Sequence, residues 1–263
     1  MHHAMNVDRE GAIWVCGYDL SQYPRALNSV KYTLGDRTFK FIDNYVVQLD
    51  PNDGSLLFKK SLAELIIENN LDYLIAKSVV TDDPIHLNDV QPVLTSGPFM
   101  QAGDLFLSFR TSSVVLQYRP STNELIRVIE GPFANQHDVD ILSDSTIAVF
   151  NNNAPTKRWM EDGNRQSENE LRSMGDFSSH IVHYNLGTKT FSTPNKAAYA
   201  LNSVHTFTEG LFEYLGDSTV LIEEQNPSIL WVFRGKDVVY KGVLPSQHEG
   251  YHHLTNWARP INW

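Results

Sequence analysis

The sequence predicts an all-β fold, and within that class a β-propeller of four-stranded blades. Three observations lead there: short apolar runs bounded by turn residues, a unit that recurs along the chain, and a histidine near the head of each unit.

Val, Ile, Phe, Tyr and Leu gather at 12–18, 44–49, 104–109, 113–118, 146–150, 180–186, 219–224, 229–233 and 237–244. Between these runs stand DPNDG, RPSTNE, LSDS, LGTKT and FRGKD, which supply the Asn, Asp, Gly and Pro that tight turns require. Many short strands at near-regular spacing mean a sandwich, a barrel or a propeller. Two stretches depart from the pattern. SLAELIIENNLDYLIAK (61–77) has apolar residues near helical spacing and predicts a short helical insertion. APTKRWMEDGNRQSENELRSMG (154–175) is polar and predicts a loop.

The repeat selects the propeller. Its unit is a histidine, a short alternating strand, a turn with Asp or Gly, then an apolar strand. It reads HHAMNVDREGAIWV from His2, IHLNDVQPV followed by GDLFLSF from Ile85, and QHDVDILSDSTIAVF from Gln136. It returns as VHTFTEGLFEYLGDSTVLIEE from Val204 and begins again as YHHLTNWARP from Tyr251. His3, His86, His137, His205 and His253 are separated by 83, 51, 68 and 48 residues. A blade takes about 40–45 residues, and the longer steps hold the insertions. If each unit begins a blade, its histidine sits on the innermost strand and faces a common axis. Residues 1–263 then form a single propeller domain with four full units and a terminal stub. That count leaves open a five-bladed ring or a chain lacking N-terminal blades.

Composition narrows the function. The formal net charge is −10, with acidic residues spread along the chain, which argues against a nucleic-acid partner. Cys16 is the single cysteine, so no internal disulfide forms. No stretch approaches the roughly 20 apolar residues of a membrane span. The N-terminus, MHHAMNVDREG, has no apolar signal core, which leaves a cytoplasmic protein, a mature form and a fragment all open. There is neither a G-x-S-x-G elbow nor a phosphate-binding G-x-x-x-x-G-K-[ST] loop, which disfavours a nucleotide sulfate donor.

The richest segment is DPIHLNDV (83–90), followed by LFLSFR (105–110). On a strand His86 and Asn88 face the same side, and Arg110 ends the neighbouring run. An imidazole, an amide and a guanidinium together suit an oxyanion. The structural alternative is that His86 and Asn88 bond adjacent blades while Arg110 pairs with a surface carboxylate. TSGPFMQAG, between His86 and Arg110, is an insertion expected to bear on the position of the arginine. In QHDVDI (136–141), alternation puts Val139 and Ile141 on the face of His137, and Asp138 and Asp140 on the other. Histidine serves as nucleophile or general acid/base, although any single one is more often a hydrogen-bonded core residue. Recurrence, one per blade, favours the functional reading. Convergent histidines also suit a metal, but short H-x-H or H-x-x-x-H pairs are missing and Arg is a poor neighbour for a cation. No metal or other cofactor is assigned.

These residues resemble the arylsulfotransferase (arylsulfate sulfotransferase) family of bacterial propellers. The resemblance rests on HHAMNVDREGAIWV, on HLNDV followed by LSFR, on QHDVDILSDSTIAVFNNN and, more weakly, on GLFEYLGDSTVLIEEQN. It implies the family's six-bladed propeller and transfer of a sulfuryl group from a phenolic sulfate ester to a phenol acceptor. The route passes through a sulfated histidine, without a nucleotide cofactor. It implies that His137 matches the nucleophile. His86, Asn88 and Arg110 match the group that holds the sulfuryl oxygens and assists the phenols. The His2/His3 pair matches an earlier active-site histidine, with His3 preferred because alternation leaves Met5 and Val7 on one side. It further suggests a periplasmic or secreted location. His205, and His252 or His253, are read either as further axial residues or as inter-blade bonds, with the bonds favoured, and Arg259 is left unassigned. Two competing functions share the scaffold: a non-catalytic propeller binding a ligand or protein, and a metal-dependent hydrolase or lyase.

Overall fold

The structure, a computed structural model, describes residues 2–18, 29–78, 80–155, 177–216, 218–255 and 257–258. Arg259 and all but the first two residues of the polar stretch 154–175 lie outside these. Blade 1 opens with β1 (His2–Val7) and β2 (Ile13–Tyr18). A hairpin of β3 (Ser29–Leu34) and β4 (Arg37–Ile42) intervenes before β5 (Asn44–Leu49) and β6 (Leu56–Ser61) complete the sheet, in the order β1-β2-β5-β6. Two short helices follow, α1 (Leu62–Glu68) and α2 (Tyr73–Ala76), within the expected helical insertion. Blade 2 is β7 (Leu87–Pro92), β8 (Leu105–Phe109), β9 (Val114–Arg119) and β10 (Glu124–Glu130). Blade 3 is β11 (His137–Ser143), β12 (Thr146–Asn151), β13 (His180–Asn185) and β14 (Thr190–Ser192), with α3 (Lys196–Leu201) after it. Blade 4 is β15 (Leu211–Gly216), β16 (Thr219–Glu224), β17 (Ile229–Arg234) and β18 (Asp237–Val243). All pairings are antiparallel, and the fold is a β-propeller.

The expected runs become strands because their alternating residues serve two interfaces at once. Leu105, Leu107, Phe109, Val114 and Leu116 pack against Trp14, Cys16 and Val46 of blade 1. Phe106 and Val115, pointing the other way, join Val139, Ile147 and Val149 of blade 3. Ala148 and Phe150 continue to Phe212, Val220, Ile222 and Trp231 of blade 4. A central strand buried on both faces reads as a near-continuous apolar run, which is why LFLSF and TIAVF lack a polar face. The turn signals close as their chemistry requires. In DPNDG, Asp50 accepts from Asn52 N through its side chain at 2.8 Å and from Gly54 N through its carbonyl at 2.9 Å. The helical insertion starts where Ser61 caps Glu64 N at 3.0 Å, while Asp43 accepts from Ser61 Oγ and Ala63 N. Leu62, Ala63, Leu65 and Ile66 are its buried face.

The first strand of each sheet is the inner one: β1 meets β7, β7 meets β11, and β11 meets β15. Side chains stitch these strands together. Asp89 on β7 accepts from Asn6 Nδ2 of β1 at 2.9 Å and from Val139 N of β11 at 2.8 Å. Asp138 on β11 accepts from Phe212 N of β15 at 2.8 Å. Both carboxylates are about 1% exposed, so removing either strands buried donors. Asp89→Ala is expected to cost about 3 kcal/mol of unfolding free energy. The exposed control Glu249→Ala is expected to stay within about 0.5 kcal/mol in the same urea titration.

Candidate active site

Three blades enter their inner strands through residues forced into the left-handed region: His3 at φ 60°, His86 at 49° and Asp138 at 52°. Blade 4 does so through Glu209 at 59° and Gly210 at 114°. A Cβ on Gly210 would meet Thr206 Cγ2 at 2.7 Å and Phe150 Cε1 at 2.8 Å, so close approach as well as φ demands glycine. Pairing then shifts between His2 and Met5, between Leu87 and Asp89, and between His137 and Val139. Such bulges re-aim side chains, and non-glycine residues in this region cluster at functional sites. Asp138 lies on the face opposite Val139 and is buried in the contact with blade 4, while Val139 packs toward blade 2.

His137 opens β11 and is 1% exposed. Its Nδ1 lies 2.7 Å from Asn152 Oδ1. The Asn152 amide has a fixed orientation, since its Nδ2 donates to Glu209 O at 2.6 Å and Thr206 O at 3.0 Å. Oδ1 is therefore the acceptor, and His137 carries its proton on Nδ1. Nε2 is left with a bare lone pair and has no hydrogen-bond partner among the described residues. Burial pushes the ring down to about 3, and the positive charge of Arg110 acts in the same direction.

His3 stands beside it, with ring centroids 5.6 Å apart. The His3 and His86 Nε2 atoms are 3.0 Å apart, and their rings meet edge to face at 5.0 Å. Behind His86 lies Asp83, whose Oδ2 is 2.6 Å from Nδ1 and whose Oδ1 accepts the His86 backbone N–H at 3.1 Å. Asp83 also accepts from Asn44 Nδ2 at 2.9 Å and Tyr18 OH at 3.0 Å. Burial alone raises this carboxyl, but the bonds from His86, Asn44 and Tyr18 outweigh it and hold it below the usual range. The carboxylate at Nδ1 leaves Nε2 turned toward His3.

Arg110 follows β8, and its backbone N donates to His86 O at 3.0 Å. The insertion TSGPFMQAG lies at the far end of the β7–β8 hairpin and leaves the arginine beside His86. Burial lowers the guanidinium from its ordinary value, against the opposing charges of Asp83, Glu209 and Tyr18. It forms no hydrogen bond or ion pair with the described residues, and it is charged at any ordinary pH. Asn88 is fully buried, one register shift away from His86, and its Nδ2 donates to Gln136 O at 2.6 Å. That bond ties blade 2 to the residue preceding His137, while Asn88 Oδ1 has no partner among the described residues.

The other histidines lie elsewhere. His205 was expected to open the inner strand of the fourth unit, but that strand begins at Leu211. His205 is instead exposed in the preceding loop, with Nδ1 2.9 Å from Phe177 O. His252 Nε2 lies 2.6 Å from Asn226 O and His253 N donates to Leu244 O, so both tie the terminal segment to blade 4. Sequence reasoning gave no role to Asp83, Asn152 or Glu209. Asp83 was visible three residues before His86. Asn152 was visible as the NNN run after β12, which the pairing of His137 with Phe150 brings alongside the histidine. Among the described residues, no group of three or more His, Cys, Asp or Glu is arranged to hold a metal ion.

The assigned tautomer has a direct readout. Long-range 15N–1H NMR is expected to show His137 protonated at Nδ1, bare at Nε2 and not titrating between about pH 5 and 8. A ring that titrates near the ordinary histidine value contradicts the burial argument.

The profile of the family described as Arylsulfotransferase (ASST) matches residues 1–235. No curated protein matches the chain in sequence. Among solved structures, a chain of the "Crystal Structure of Mitotic Checkpoint Complex" is 9% identical with a TM-score of 0.45, covering 94% of this chain and 51% of that one. This chain thus spans about half the length of that relative. A protein of unknown function from Bacteroides caccae is 11% identical with a TM-score of 0.46, covering 86% of this chain and 66% of its own. The WD40 repeats of RRP9 are 8% identical with a TM-score of 0.39, covering 77% of this chain and 47% of that one. With the matched residues spanning β1 to the end of β17 and taking in His3, His86, His137 and Arg110, the chain belongs to the arylsulfotransferase family.

Proposed function

We propose that this chain moves a sulfuryl group from an aryl sulfate to a phenol through a covalent intermediate on His137. The observation that carries the reading is the His137 Nε2 lone pair, buried and without a partner among the described residues, next to Arg110 and the His3–His86 pair. In the first half-reaction Nε2 attacks sulfur. The N–S bond forms as the S–O bond to the aryl group breaks, and the electron pair leaves on the phenolate oxygen. His86, backed by Asp83, supplies the proton to that oxygen, with His3 as its hydrogen-bond partner. In the second half the acceptor phenol returns a proton to the same pair and attacks sulfur. The S–N bond breaks and its pair goes back to Nε2.

Each neighbour has a physical task. Asn152 holds the Nδ1 proton, so the nucleophilic pair stays on Nε2. Arg110, without a protein anion bonded to it among the described residues, takes the sulfuryl oxygens and stabilises charge developing on them. Asn88 positions the backbone before His137 through the Gln136 carbonyl. The low basicity of His137 keeps the ring neutral and ready to attack at neutral pH.

The test is release of 4-nitrophenol from 4-nitrophenyl sulfate in the presence of phenol. His137→Asn keeps a donor toward Asn152 and removes Nε2, and it is expected to lower turnover by about 1,000-fold or more. Arg110→Ala is expected to lower kcat/KM by about 100-fold. Asp83→Asn is expected to penalise donors with weakly acidic phenols more than the nitrophenyl ester, because only they need a strong proton donor. Undiminished turnover by His137→Asn contradicts the reading.

A further inference from the structure

Glu209 stands in blade 4 where histidines stand in blades 1 and 2. It leads into the inner strand with the same left-handed backbone as His3 and His86. It lines a small cavity together with His3, Gly210, Leu211, Glu223, Gln225 and Trp257. Its carbonyl accepts from Asn152, the residue that orients His137, at 2.6 Å. Its carboxylate forms no hydrogen bond or ion pair with the described residues, in contrast to Asp83 and Glu223. Asp83 is bonded by His86, Asn44 and Tyr18, and Glu223 accepts from Ala258 N at 2.7 Å. The Glu209 charge acts on the Arg110 guanidinium.

We infer that Glu209 is a specificity-determining residue that restricts the axial site to singly charged esters, admitting a sulfate monoester and repelling a phosphate monoester of the same shape. The inference rests on the proposed role of Arg110 as the holder of the transferred group. Sulfate and phosphate monoesters are both tetrahedral and present three outer oxygens, so geometry separates them poorly. Charge separates them well. An aryl sulfate carries one negative charge, whereas a phosphate monoester, with a second pKa near 6, carries close to two at pH 8. In the site the Arg110 cation is offset by Asp83, whose carboxylate His86, Asn44 and Tyr18 already engage, and then by the Glu209 carboxylate, and His137 adds no positive charge because its ring is neutral. One guanidinium whose charge is partly offset in this way can accept a monoanion. A second negative charge meets the carboxylate in a partly desolvated cavity, where repulsion exceeds its value in water.

The experiment uses the full chain carrying His137→Asn, which holds an ester without reacting, and measures binding of 4-nitrophenyl sulfate and 4-nitrophenyl phosphate by calorimetry at pH 8. The sulfate ester is expected to bind at least about tenfold more tightly. Adding Glu209→Gln, which keeps the shape and removes the charge, is expected to close most of that gap by strengthening the phosphate ester. A gap that persists in Glu209→Gln overturns the inference while leaving the site intact. Adding Arg110→Ala to the His137→Asn chain separates the two claims. If the sulfate ester binds equally well without Arg110, or does not bind at all with it, the reading of the site fails and the inference fails with it.

Discussion

The buried carboxylate of Asp89 is the point on which the inner architecture turns. It takes a proton donor from β1, its own strand's Val90 N–H, and the Val139 N–H of β11, so three consecutive blades share one side chain. A charge withdrawn from water is tolerated because these donors replace its hydration. The consequence reaches the site. Val139 lies two residues after His137, and Asn6 lies three after His3, so the same carboxylate fixes the relative positions of strands that carry two of the three converging imidazoles. Asp138 repeats the device toward blade 4. Radial repetition alone brings strands near an axis; these bonds set the spacing at which rings separated by dozens of residues come into contact.

Within that frame His137 and His86 differ in electrical character because their Nδ1 atoms have different partners. Asn152, a neutral amide, faces Nδ1 of His137; Asp83, a carboxylate, faces Nδ1 of His86. The first arrangement leaves a neutral ring with a buried lone pair, and the second sets a carboxylate behind a ring whose Nε2 meets His3. Division of labour between chemically identical side chains thus follows from what stands behind them. Arg110 adds positive charge and forms no ion pair with the described residues, and the Asn88 amide donates to the backbone just before His137.

The strands, the turns and the recurring unit were legible in the sequence because each follows local rules. Runs such as LFLSF must be buried on two faces, and DPNDG, LGTKT and FRGKD can hardly be anything but turns. The outer strand β10 was harder to see. ELIRVIE mixes charge with apolar residues, as an edge strand with one wet side does. The β3–β4 hairpin, inserted inside blade 1, interrupts the repeat at a place no spacing argument identifies. At the site, the histidines of the first three units were found by recurrence, and His205 was misplaced by the same reasoning. In blade 4 the inner strand starts several residues later, after a loop closed at Gly210. Asp83 and Asn152 escaped notice because strand alternation does not apply across left-handed lead-ins and bulges. Asp83 reaches His86 through a local turn that precedes β7, whereas Asn152 reaches His137 only through the register of β11 and β12.

The central claim is that His137 Nε2 is the atom that takes up the transferred group. Incubating the chain with an aryl sulfate in the absence of any phenol acceptor, followed by rapid quenching at alkaline pH and peptide mass spectrometry, tests it most directly. The account predicts one added sulfuryl group per chain, located on His137 and discharged when a phenol is supplied. A modification that maps to another residue, or an unmodified chain that still exchanges sulfate between phenols, contradicts it.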